Sequence, residues 1–172
     1  MVTENARGIA LNRALRGLAA EYAVAAAQIL DENLVSVVLF GSVARGEAGP
    51  DSDIDLLVVC RSLPRGAFRR REVLEPVYDR LQPSLETLWE RGSYVSFSEL
   101  IRTAEEAQHT HPLYLDMTEE AQLLFDRDGF FATILARVRE RLRELGARRQ
   151  QLGRIRYWDL KPDFKPGEVI TL

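Results

Sequence analysis

The chain has 172 residues, enough for one domain with a sizeable core. Hydrophobic residues make up 46% and charged residues 28%, a balance that excludes a disordered chain. Lys and Arg number 23 against 26 Asp and Glu, a net charge of −3 that argues against a strong general grip on nucleic acid.

Met1 to Asn5 lacks the basic-then-apolar pattern of a secretion signal. No apolar run approaches the roughly 20 residues that span a bilayer. A cytoplasmic protein without a membrane partner is expected. Residues 8 to 30 carry apolar side chains at three- and four-residue spacing (Leu11, Leu15, Leu18, Tyr22, Ala26), which predicts a helix. Leu34 to Phe40 is a short continuous apolar run with three valines, the pattern of a buried strand. Gly41 to Ser52 is polar and glycine-rich, with Ser42 to Arg45 forming one or two helical turns closed by Gly46. Ile54 to Cys60 is a second buried strand. Cys60 is the only cysteine, which excludes an intrachain disulfide and a Cys-based zinc site; its apolar neighbours predict an inert thiol.

Pro64 to Arg91 predicts a long helix that Pro76 and Pro83 kink or divide. Tyr94 to Phe97 is a third strand, and Ser98 is expected to cap a helix from Glu99 to about Gln108. Thr110 to Met117 has no clear assignment. Ala121 to Phe125 is a fourth strand, Asp126 to Gly129 a turn, and Phe130 to Leu145 an amphipathic helix stopped by Gly146. The fold class is α/β, a small mixed β-sheet of about four strands flanked by helices.

The chemistry sits between the first two strands. A buried strand runs into Gly41-Ser42, where glycine permits a sharp turn and the close approach of a ligand. The short helix that follows aims free N–H groups back at this corner, and the Ser42 hydroxyl adds a donor, a geometry that suits phosphate. Asp53 and Asp55 head the second strand on one face. Two converging carboxylates repel unless a cation or proton lies between them. Mg²⁺ takes one or two carboxylates together with phosphate oxygens and water. Gly-Ser alone is a common turn, and Asp-Ile-Asp alone is often a solvated strand start. Together, each after a strand, they form a layout for phosphoryl or nucleotidyl transfer.

Gly41-Ser42, Arg45-Gly46-Glu47 and Asp51-Ser52-Asp53-Ile54-Asp55-Leu56 resemble the signature of the minimal nucleotidyltransferases of the DNA polymerase β-like superfamily. The resemblance implies the polymerase β-like fold and an NTP, ATP foremost, with Mg²⁺ or Mn²⁺. It implies transfer of a nucleoside monophosphate to a hydroxyl of a protein or small molecule. Carried onto this chain, it assigns Gly41, Ser42 and Arg45 to the triphosphate and Asp53 and Asp55 to catalysis and metal; Arg45 could equally form a structural salt bridge. Relatives usually place a third carboxylate on the next strand, where Tyr94 to Ser98 offers none. Glu99 is expected to serve the helix start instead. The alternative is an impaired nucleotide-binding module that acts with a separate helical partner protein, as in toxin–antitoxin-like pairs. The expected organisation is a nucleotidyltransferase domain over 1–149 and a C-terminal tail, 150–172, packed on it.

His109 and His111 near Asp116 could pair on a metal, but Pro112 favours a loop. Arg69-Arg70-Arg71 is followed by Glu72 and Glu75, the pattern of a solvated helix face. In the tail, Tyr157, Trp158 and Phe164 predict packing, and Asp159, Lys161 and Asp163 are candidates for reaching the nucleotide site.

Overall fold

Four strands form the central sheet. The first, β1 (Leu34–Phe40), is antiparallel to both β2 (Ile54–Cys60) and β4 (Gln122–Asp126). The remaining strand, β3 (Phe97–Thr103), runs parallel to β2, so the order is β3-β2-β1-β4 and the sheet is mixed. The structure, a computed structural model, describes residues 2–153, 155–165 and 167–171, and side chains from Ala6 onward.

The central strands are buried on both faces, which is why they read as unbroken apolar runs. One face of the sheet (Leu34, Leu39, Ile54, Leu56, Val58, Cys60) packs on α1 (Val2–Leu30) and α3 (Ala67–Glu90). The other face (Val35, Val38, Leu57, Val59) packs on α5 (Pro112–Glu120) and α6 (Phe130–Leu145). Phe131 and Tyr114 meet edge-on at the centre of that second layer.

The predicted long helix is continuous. Pro76 and Pro83 lie inside α3, seven residues apart and both exposed, so the helix bonds they remove face solvent. The third strand differs from expectation: it begins at Phe97 and continues to Thr103 through the stretch expected to be helical. The cap is Thr103 instead of Ser98. Its hydroxyl accepts from the Glu106 N–H while Glu106 receives the Thr103 N–H, a capping box that opens α4 (Ala104–Ala107). The unassigned segment is α5, capped by the His111 ring.

The C-terminal region forms a hairpin, β5 (Arg148–Leu152) and β6 (Ile155–Asp159), that begins before the boundary expected at 149/150. It meets α5 through Trp158, whose Nε1 donates to Asp116 (2.9 Å), while Tyr157 and Phe164 are about half exposed. Arg154 and Pro166 of the tail lie outside the described residues.

Candidate active site

The last residue of β1, Phe40, is extended, and the chain then turns at Gly41 with φ +72° into α2 (Gly41–Arg45). This position has no room for a side chain. A Cβ on Gly41 would fall on the Asp55 carboxylate, 2.9 Å from its Cγ, in a backbone region that side chains disfavour. Val43 and Ala44 are buried, and Gly46, left-handed, closes the helix with its N–H toward the Ser42 and Val43 carbonyls.

Two residues of α1 hold this corner, Arg16 and Asn12. The Arg16 guanidinium donates to the carbonyls of Val43 (3.1 Å) and Ala44 (2.7 Å), the open end of α2. Asn12 is buried and exchanges two hydrogen bonds with the Ala48 backbone at 3.2 and 3.3 Å. A polar residue on an apolar helix stripe was the available signal for Asn12.

Asp53 and Asp55 both stand at the head of β2, as their spacing predicts. Asp53 is exposed and accepts a hydrogen bond from Ser96 Oγ at 2.6 Å. Asp55 is half-buried opposite Phe40 on one side and Ser98 on the other. Burial, and then the charge of Asp53, push the Asp55 carboxyl above the ordinary aspartate range, against the pull of Ser98 and the more distant Arg45. A like-charged, partly desolvated pair beside a backbone corner fits a divalent cation shared with phosphate oxygens. Among the described residues no group of three or more His, Cys, Asp or Glu could hold a metal. The donor set therefore fits one cation completed by its ligand and by water.

The position facing the acid pair on β3 is held by serine. Glu99 points to the opposite face of the sheet, where its Oε1 accepts from the Tyr22 and Tyr78 hydroxyls. Burial raises its carboxyl above the ordinary range despite those two hydrogen bonds, and its Oε2 is buried without a partner among the described residues. The helix-start role expected for Glu99 is thus replaced by a core role, because β3 continues past it.

Arg45 is bound to Glu47 (2.7 Å) and to Glu120 of α5 (2.9 Å). Glu120 also pairs with Arg149 of the hairpin, and Arg156 reaches Glu47 at 2.7 Å. The tail therefore touches the site's loop through charge. Lys161 pairs with Glu168, and together with Asp163 it borders the C-terminal end of α6 instead of the acid pair. Among the described residues, no helix is long and apolar enough to cross a membrane.

The chain is similar to several known proteins. At 30% identity over 112 residues, covering 65% of this chain and 72% of the relative, the chain is similar to "Putative protein adenylyltransferase MJ1305" of Methanocaldococcus jannaschii. Among solved structures, a toxin–antitoxin with AMP-PNP is similar at 16% identity and TM-score 0.43, over 71% of this chain and 90% of that one. A tri-AMPylated Shewanella oneidensis HEPN toxin in complex with an MNT antitoxin is similar at 12% identity and TM-score 0.43, over 77% of this chain and 92% of that one. The family model described as nucleotidyltransferase domain matches residues 25–127, from the second half of α1 to the end of β4, and so takes in the whole corner. The chain belongs to the nucleotidyltransferase domain family, and the matched residues include Asp53, Asp55 and the Gly41-Ser42 corner of its four-stranded mixed sheet.

Proposed function

We propose that the protein transfers AMP from ATP to a hydroxyl of a protein. The observation that supports this most is the Asp55 carboxylate lying against Gly41, raised by burial and by the charge of neighbouring Asp53. The name of the M. jannaschii relative supports the adenylyl group and the protein acceptor. Gly41 and Ser42 would receive the triphosphate, and Asp53 and Asp55 would hold Mg²⁺ or Mn²⁺. The cation, when bound, neutralises the carboxylates and the charge on the phosphates. The acceptor oxygen attacks the α-phosphorus, the bond to the bridging oxygen breaks, pyrophosphate leaves, and the hydroxyl proton passes to solvent. Ser96 orients Asp53, and Arg45, tied to Glu47 and Glu120, braces α2 and adds positive charge. Incubation with α-labelled ATP, Mg²⁺ and a lysate is the test. Label should appear in protein and vanish with Asp53→Asn/Asp55→Asn.

One observation favours a second reading. Ser98 on β3, and Ser96 just before it, stand where a third acid would complete a two-metal site, and Glu99 faces away. A chain of this kind would bind nucleotide and act through a separate helical partner. Metal-dependent ATP binding without label transfer would select it.

A further inference from the structure

Two acids hold Arg45, and each of them is held in turn by an arginine of the C-terminal hairpin. Arg45 gives its Nε to Glu47 Oε2 (2.7 Å) and its Nη1 to Glu120 Oε2 (2.9 Å). Both carboxylates turn their other oxygen to the hairpin. Glu47 Oε1 accepts from Arg156 Nη2 at 2.7 Å, and Glu120 Oε1 accepts from Arg149 Nη2. Arg156 Nη1 stands 3.9 Å from that same Glu120 oxygen, while Glu119 and Asp116 take the rest of Arg149. Glu47 and Glu120 are therefore clamps, each closed on α2 by one oxygen and on the hairpin by the other.

Strand register puts the hairpin arginines there. Arg149 lies directly opposite Trp158, and Arg156 is two residues from it, so the three project from one face. Trp158 packs on the layer formed by α5 and α6 and donates to Asp116, which anchors the hairpin without any help from Arg156. The Arg156–Glu47 pair is 40% and 46% exposed, and a pair that open adds little to stability. Its effect falls on what Glu47 does next. Arg156 comes first, ahead of Arg45, in holding the Glu47 carboxyl below the ordinary glutamate range. Beyond Glu47, Arg45 keeps one terminal nitrogen, Nη2, without a hydrogen bond among the described residues, and its charge is felt at Asp55.

We propose that Arg156 is a positioning residue for the nucleotide site. By holding one oxygen of Glu47 it fixes the other on Arg45, and so keeps the free arm of the Arg45 guanidinium aimed for the phosphates at the Gly41 corner. Arg149 works in the same way through Glu120. An arginine that binds phosphate gives up rotamer freedom on binding, and a guanidinium already gripped at two of its nitrogens has given it up beforehand. The hairpin thus acts on the nucleotide at one remove, through Glu47 and Arg45. The inference rests on the nucleotidyltransferase reading, in which Arg45 serves the triphosphate.

The test is a double-mutant cycle on the full chain, read by calorimetry with ATP and Mg²⁺ at low salt. Arg156→Gln should weaken ATP binding about fivefold, the upper range for an exposed charge pair. Arg156→Lys should recover most of the loss. In an Arg45→Gln background the same Arg156→Gln change should cost less than twofold, because the residue through which it acts is gone. Arg148→Gln, which removes an equal charge from the other face of the hairpin, should leave the affinity unchanged. Unchanged circular dichroism and melting verify that the variants are folded. Undiminished binding by Arg156→Gln, an equal loss in the Arg45→Gln background, or an equal loss with Arg148→Gln overturns the proposal. A parent chain that binds no ATP with Mg²⁺ overturns the nucleotide reading itself, whereas a parent that binds beside an indifferent Arg156→Gln removes only the role of the hairpin.

Discussion

The Gly41 corner and the β5–β6 hairpin lie side by side, joined by Glu47, yet they are held by different forces. The corner is fixed by buried aliphatic packing, by one glycine and by backbone hydrogen bonds from Asn12 and Arg16. The hairpin is fixed by Trp158 and by a web of arginines and acids around Glu120. Charge screening by salt touches packing of the first kind little, whereas it weakens an ion-pair web of the second kind. The difference teaches that the site is built to stay rigid, while the element beside it is held more loosely.

The sharpest break is Gly41→Val. Positive φ and overlap with Asp55 together cost about 3 kcal/mol. Calorimetry should show ATP binding lost, and thermal unfolding should show a lowered midpoint. Asp55→Asn should separate binding from stability. The folded protein holds this carboxyl above its ordinary range. Its contribution therefore favours the fold at pH below the ordinary aspartate range and is lost as pH rises through the raised value. At neutral pH the variant should lose metal-dependent ATP binding while melting no lower than the parent.

The web responds to a different change. Glu120 is 9% exposed and faces Arg45, Arg149 and Arg156, which are partly exposed. Glu120→Ala should cost about 2 kcal/mol, between the values for buried and surface pairs. Amide exchange should accelerate in Arg148–Asp159 but not in β1 or β2, and half-molar salt should reproduce part of that effect. The smallest effect belongs to Glu106, which Arg70 holds down at about 2. Its stabilisation is present above the ordinary glutamate range and is lost as pH falls toward that value. Glu106→Gln should flatten the acid limb of a stability–pH curve by a few tenths of a kcal/mol at most, since the Glu106 carboxylate is more than a third exposed.

The same contrast explains what the sequence could reveal. β1, β2, α6 and the acid pair were legible because a buried strand, an amphipathic helix and an i, i+2 pair each leave a period. β3 was misplaced because an edge strand carries mixed polarity, and Phe97-Ser98-Glu99 imitates a helix start. The better signal was Thr103 with Glu106 three residues on. The hairpin was missed because Arg148 to Gln151 is polar on both faces; its order comes from distant partners that no local pattern encodes. Pro76 and Pro83 suggested a break, but their shared solvent face lets the helix run through.

Cys60 ends β2 with no exposed surface, and burial pushes its thiol up to about 11. An alkylating reagent needs a thiolate it can reach, and here it finds one only when the central sheet opens. The lone cysteine is therefore a built-in clock for global opening. Events that merely detach the hairpin leave it silent, so its modification rate times the rarest excursion of the molecule and ignores the common ones.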